Sequence, residues 1–216
     1  MWYVFGDSWA EGYGLKEGEK NFAKWIAHLT DEKVVNHGEC ASSLGQITHT
    51  ALHESVHWKE GDRIVVVTPP DTRWYNITND RMSYSIFENT EERDRFIQDK
   101  NVAWFKYHHN LFMTTIINKA KEKGCQVVLM RNYGKLELLP WSKDTILPNV
   151  LDEQFSLSFM LSDNNTCIYH DSNSDLRISQ QKANFEGTNY IPGDNHPNEG
   201  GHKIIAEKVL DYFQLR

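Results

Sequence analysis

Short runs of Val, Ile and Tyr, separated by stretches with helical spacing, most limit the folds open to this chain. Trp2–Phe5, Val34–Asn36, Arg63–Thr68, Gln126–Met130 and Cys167–Tyr169 read as strands. Several are continuous rather than alternating, so both faces must be covered, as in a parallel sheet with helices on either side. The segments between them supply those helices. Phe22, Trp25, Ile26 and Leu29 form one apolar stripe, and Trp104, Phe105, Leu111, Phe112 and Ile116 line a longer helix that stops at Gly124. A last helix from about Asn198 to Tyr212 carries Ile204, Ile205, Val209 and Leu210. On that longer helix, His108 and His109 with Lys106 and Asn110 read as a solvated face. The order predicts an α/β fold: a three-layer α/β/α, doubly wound, flavodoxin-like domain around a five-stranded parallel sheet.

The 216 residues suit one domain, spanning 1–216, with insertions at about 71–100 and 132–165. Each insertion follows the carboxyl end of a strand, where doubly wound sheets bind ligands. Trp74, Tyr75 and Trp141 fall in them, as aromatics able to stack on a sugar, cover an acyl chain or anchor the loops. Acidic residues exceed basic ones, 30 against 23, for a net charge of −7 without a basic tract, which argues against a nucleic-acid partner. No apolar stretch approaches a membrane span, and Met1 leads straight into strand-like residues; the expectation is a cytoplasmic protein. Cys40, Cys125 and Cys167 are scattered, as reduced structural thiols are.

The first strand runs into Gly6-Asp7-Ser8, followed by Gly12 and Gly14. A strand ending in a tight turn holds one side chain out at the sheet edge, beside backbone N–H groups and the positive end of the next helix. Ser8 occupies that place, Gly6 lets the chain turn closely, and Asp7 can tie the loop to neighbouring backbone. Alone, such a tripeptide is also an ordinary turn with a helix cap. At the other end, IPGDNHPNEGGH places Asp194 and His196 in a loop before the final helix, which opens on the same sheet edge. A serine, a histidine and a carboxylate are the components of a nucleophile and its base.

GDSWAEGYG resembles the first sequence block of the SGNH, or GDSL, hydrolase superfamily, and DNHPNEGGH resembles its last. The resemblance implies an esterase that forms an acyl-serine intermediate, with Ser8 as nucleophile, His196 as base and Asp194 as its orienter. It requires no cofactor and no metal. The family's acid stands three residues before the histidine, which here is Gly193, whereas Asp194 is two before. The second block, VVNHGECASS, puts Asn36 at the family asparagine; the oxyanion N–H then falls on Ala41, with Gly38 as the alternative, beside that of Ser8. The third block departs: where the family has Gly-x-Asn-Asp, this chain has TPPDTRW and no Asn. Losing one oxyanion donor costs about 2.7–4 kcal/mol of transition-state stabilisation. Thr72, Arg73 or Asn76 would have to replace it, the site would work slowly, or catalysis would be lost; Asp71, Thr72, Arg73 and Trp74 are the candidate substrate-binding residues. The implied partner is a small acyl ester or an O-acylated carbohydrate. An acyltransferase and a non-catalytic binding module with the same fold are the alternatives.

A rival of another class lies in HTALHESVHW. His53, Glu54 and His57 match H-E-x-x-H, with His49 one turn earlier; on a helix, both histidines of such a motif face one way and the Glu serves a zinc-bound water. This is the zinc metallohydrolase reading, and the helix is expected to run through His57 and end at Gly61. The metzincin continuation is absent, since Glu60 and Arg63 stand where a glycine and a histidine would be needed. His202 belongs to the last block and is expected to pack against or cap the final helix.

Overall fold

The computed structural model describes residues 1–69, 102–132, 136–152, 157–161, 189–191 and 196–215. The expected strand Cys167–Tyr169 and the insertion at 71–100 lie outside them. Among the described residues four strands form one parallel sheet: β1 (Trp2–Gly6), β2 (Val34–Gly38), β3 (Arg63–Thr68) and β4 (Gln126–Arg131), in the spatial order β2-β1-β3-β4. Beyond β4, Val150 makes a single parallel bridge to Leu129. The chain leaves β1 for β2 on one side and reaches β3 on the other, so the order reverses at the carboxyl ends of β1 and β3. Ligands bind at such a switch point in open α/β sheets.

Side chains of successive strand residues point to opposite faces, and here both faces are core. Trp2, Val4, Val65, Val67, Val128 and Met130 face α2 (Phe22–Thr30) and the final helix, contacting Phe22, Ile26, Ile205 and Val209. Tyr3, Phe5, Ile64, Val66, Val127 and Leu129 face α3 (Leu44–Glu54) and α4 (Val102–Glu122), contacting Leu44, Ile47, Met113 and Ile116. This is the expected three-layer arrangement. Leu29 and Leu111, expected in the apolar stripes, stand exposed.

The expected solvated face on α4 is corrected. His109 and Asn110 are buried, and the segment after β4 packs across Asn110. The Asn110 amide donates to the carbonyls of Lys106 and Glu137, at 2.8 and 3.0 Å, and its oxygen accepts from Leu139 N and Ser142 Oγ. This seats α5 (Pro140–Ile146), whose Ile146 is fully buried, so part of the second insertion belongs to the core. Trp141 remains exposed, its ring 5.6 Å from that of Tyr107. Cys125 is buried, which pushes its thiol up to about 11, as fits a structural residue. No helix among the described residues is long and apolar enough to cross a membrane.

α1 (Ser8–Glu11) lies so close to β2 that Gly38 has no room for a side chain: a Cβ there would sit 2.3 Å from Glu11 N and 2.5 Å from Ala10 C. Backbone atoms cannot swing aside. Gly38→Ala should therefore lower the unfolding free energy by about 1–3 kcal/mol or more, measured by urea denaturation. An unchanged midpoint would contradict this packing.

Candidate active site

Gly6 ends β1 where a Cβ would collide with Ala10 Cβ at 2.7 Å and Val67 Cβ at 2.8 Å. The chain can therefore turn straight into α1. Asp7 caps that helix: it is fully buried, and one carboxylate oxygen accepts the Trp9 N–H at 3.1 Å. Ser8 follows as the first helical residue, 3% exposed. The helix closes after one turn on Gly12, at φ 87°, with Gly12 N and Tyr13 N both donating to the Ser8 carbonyl. Gly14 also takes positive φ, as the loop's glycines were expected to allow.

On the neighbouring strand, Asn36 spans the two chain segments. Its amide donates to the Ala10 carbonyl at 2.8 Å, and its oxygen accepts the Gly38 N–H at 2.9 Å. Gly38, one candidate oxyanion donor, therefore has its N–H directed at Asn36 and its α-carbon pressed against α1. Ala41, the other candidate, sits in the turn from Glu39 to Ser42 with φ 61°, an unusual conformation for a residue with a side chain.

The other half of the site comes from the far end of the chain. Tyr190 and Pro197 form an antiparallel bridge, with Ile191 N donating to the His196 carbonyl and Asn198 N to the Asn189 carbonyl, both at 3.0 Å. Asn198 also caps the final helix, here numbered α7 (Glu199–Tyr212) after α6 (Leu157–Leu161). Its oxygen accepts Gly201 N at 3.0 Å, and its amide donates to the Tyr190 carbonyl at 3.1 Å. Gly201 must be glycine, since a Cβ would lie 2.4 Å from Asn189 O. So held, His196 brings Nε2 to 2.8 Å from Ser8 Oγ, across 188 residues of sequence. With the ring proton on Nδ1, the hydroxyl donates to Nε2. The Tyr13 ring, half exposed, stands 5.0 Å from the imidazole.

Among the candidates, Ser8, His196, Ala41 and Gly38 lie at or beside the carboxyl edge of the sheet, and Ser8 and His196 meet. Asp194, Asp71, Thr72, Arg73, Trp74 and Asn76 lie outside the described residues. Sequence reasoning missed Asn132, whose amide donates to the second oxygen of Asp7 at 2.8 Å, and it gave Tyr13 no role. Tyr13 could have been found from its place five residues after Ser8, past one helical turn. Asn132 carries no local signal.

The helix needed for H-E-x-x-H ends too early. α3 stops at Glu54, where Ser55 turns its hydroxyl onto the Leu52 carbonyl, and His57 N then bonds Glu54 O in a turn. His53 and His57 are thus not one helical turn apart on a common face. Glu54 lies between His53 and His37, at 3.4 and 3.6 Å. Among the described residues no group of three His, Cys, Asp or Glu is placed to hold a metal ion.

No family model matches the sequence, and no curated protein matches it. Solved structures do match in three dimensions. A G-D-S-L family protein from Desulfitobacterium hafniense DCB-2 is 13% identical, with 98% of each chain covered and a TM-score of 0.52. A member of the lipolytic protein G-D-S-L family from Veillonella parvula DSM 2008 is 16% identical, with 99% of this chain and 97% of that chain covered and a TM-score of 0.52. The fold is that of the SGNH, or G-D-S-L, hydrolases. A lipase from a goat rumen metagenome shares it at 13% identity, with 98% and 96% of the chains covered and a TM-score of 0.51.

One buried group near the site reports on pH. His202, on α7, is fully buried with its ring nearly parallel to Phe22, and neither ring nitrogen has a hydrogen-bond partner among the described residues. Burial, and secondarily the charge of His196, lower it to about 3. The unfolded chain, with an imidazole titrating near pH ~6.5, binds more protons below that pH, so stability falls as pH falls from there towards 3. His37, also lowered by burial, acts in the same direction. Wild-type protein should lose about 2 kcal/mol between pH 7 and pH 5 through His202 alone. In His202→Phe that part of the slope should vanish; urea denaturation at the two pH values measures it, and an unchanged slope would refute the assignment.

Proposed function

We propose that this protein is a serine esterase that hydrolyses a small acyl ester through an acyl-serine intermediate. The observation that carries the reading is the 2.8 Å contact between Ser8 Oγ and His196 Nε2, made by groups from opposite ends of the chain. Hydrogen-bond reach between a hydroxyl and an imidazole is what general-base activation of a serine requires.

His196 takes the hydroxyl proton as Ser8 Oγ attacks the ester carbonyl carbon. The carbonyl electron pair moves onto oxygen, and backbone N–H groups of Ser8 and Ala41 receive the oxyanion. Ser8 supports this role by its place, since the first N–H groups of a helix have no acceptor within it. The tetrahedral species collapses, the C–O bond to the alcohol breaks, and His196 returns its proton to the leaving oxygen. Water repeats the sequence on the acyl-serine, releasing the acid and restoring Ser8. Asp194 is the proposed partner of Nδ1. Asp71, Thr72, Arg73 and Trp74 are the proposed substrate contacts, and the half-exposed Tyr13 adds an aromatic wall beside His196. The polar character of the insertions favours an O-acylated carbohydrate, such as an O-acetylated sugar, over a long lipid chain. A sugar hydroxyl in place of water would make the same site an acyltransferase.

One feature favours a second reading, a non-catalytic binding module. β3 runs into Pro69 where the family's third block would lead to its oxyanion asparagine. A fluorophosphonate probe separates the two. Covalent labelling of native protein at Ser8 is expected, and none would favour the binding module. With short p-nitrophenyl esters, Ser8→Ala and His196→Ala should each lower kcat on the order of 10³-fold or more, and the double variant should be little worse than either single. An unchanged rate in Ser8→Ala would remove Ser8 from this role.

A further inference from the structure

A buried polar link crosses the carboxyl edge of the sheet, from β4 to the turn after β1. Asn132 directly follows β4, its backbone N–H donating to the Thr68 carbonyl at 3.3 Å. β3 lies between β4 and β1, so the Asn132 side chain reaches over the end of β3 to Asp7. Asn132 and Asp7 are both 0% exposed. The two carboxylate oxygens of Asp7 are divided: one takes the Trp9 N–H, setting the start of α1, and the other takes the Asn132 amide. A carboxylate gripped at both oxygens cannot rotate, and Ser8 stands between Asp7 and Trp9, whose N–H that carboxylate accepts.

We infer that Asn132 is a positioning residue for the nucleophile turn: by holding Asp7 it fixes the cap of α1 and thereby the direction of Ser8 Oγ towards His196. This rests on the serine esterase reading given above. Asn132 does not take the place of the missing third-block asparagine as an oxyanion donor, because a fully buried amide cannot face a substrate. It acts through Asp7. The chain thus fastens its catalytic edge from β4, where the resemblance led one to look just beyond β3.

Three variants test this with p-nitrophenyl esters: Asn132→Ala, Asn132→Asp, and the reciprocal exchange Asp7→Asn with Asn132→Asp, which keeps one amide and one carboxylate in contact. Asn132→Ala should lower kcat about ten- to hundredfold while KM stays within about threefold, because a small displacement of the attacking atom costs rate rather than binding. The reciprocal exchange should recover most of the kcat lost in Asn132→Asp. A kcat within twofold of wild type in Asn132→Ala, or an exchange no better than Asn132→Asp alone, would overturn the inference. If Asn132→Ala does not fold, the exchange carries the test. A second readout needs no activity: hydrogen exchange of the Trp9 amide should quicken about fivefold or more in Asn132→Ala as the cap loosens. Unchanged exchange overturns the inference. If the wild type neither turns over esters nor labels at Ser8, the esterase reading falls, and the Trp9 exchange still decides the tether.

Discussion

The close seating of α1 on the carboxyl ends of β1 and β2 is the constraint from which the site follows. Two strand-end glycines make it possible, Gly6 against Ala10 and Val67, and Gly38 against the backbone of Ala10 and Glu11. With the helix that near, the Asn36 side chain can bond Ala10 O and Gly38 N together, and the first residue of α1 is held at the switch point of the sheet. A bulkier residue at either glycine would lift the helix and break this geometry. Stability and the placement of Ser8 are thus set by the same contacts.

The second half of the site depends on a different device. A loop cannot hold an imidazole to within a hydrogen bond unless its backbone is fixed, and here the fixing is done by the short bridge between residues 189–191 and 196–198. Asn198 serves both the bridge and the α7 cap, so the bridge and the start of the helix are tied together. α7 in turn packs on the sheet through Ile205 and Val209 in the core it shares with Phe22 and Ile26. Buried beneath the sheet-facing side of α7, His202 is stacked on Phe22, with no hydrogen-bond partner for its ring nitrogens among the described residues, and burial keeps it neutral.

Much of this was legible in the chain. Four of the five expected strands were found because their apolar runs must be covered on both faces; Arg63–Thr68 matches its observed span and the other three fell one or two residues short of theirs, while Cys167–Tyr169 lies outside the described residues. Ser8 and His196 were found because each sits in a short motif whose residue types suit a turn and a helix start. The solvated face assigned to His109 and Asn110 failed, since polarity alone cannot reveal that residues 136–142 fold back across that helix and satisfy Asn110. The H-E-x-x-H motif misled for a related reason: the spacing assumes a helix, and Ser55 ends it one residue after Glu54.

The sequence by itself determined the layers, the order of the described elements and the two side chains that meet at the sheet edge, because hydrophobic periodicity and turn chemistry are local properties written along the chain. Only the tertiary structure decided that Ser8 and His196 lie 2.8 Å apart, that Gly38 N–H serves Asn36, and that Asn132 reaches Asp7 over the end of β3. Those contacts join residues that the backbone separates by as many as 188 positions, and their distances are set by how closely helices and strands pack. Packing at that scale depends on the fit of many side chains at once, which no short stretch of sequence encodes.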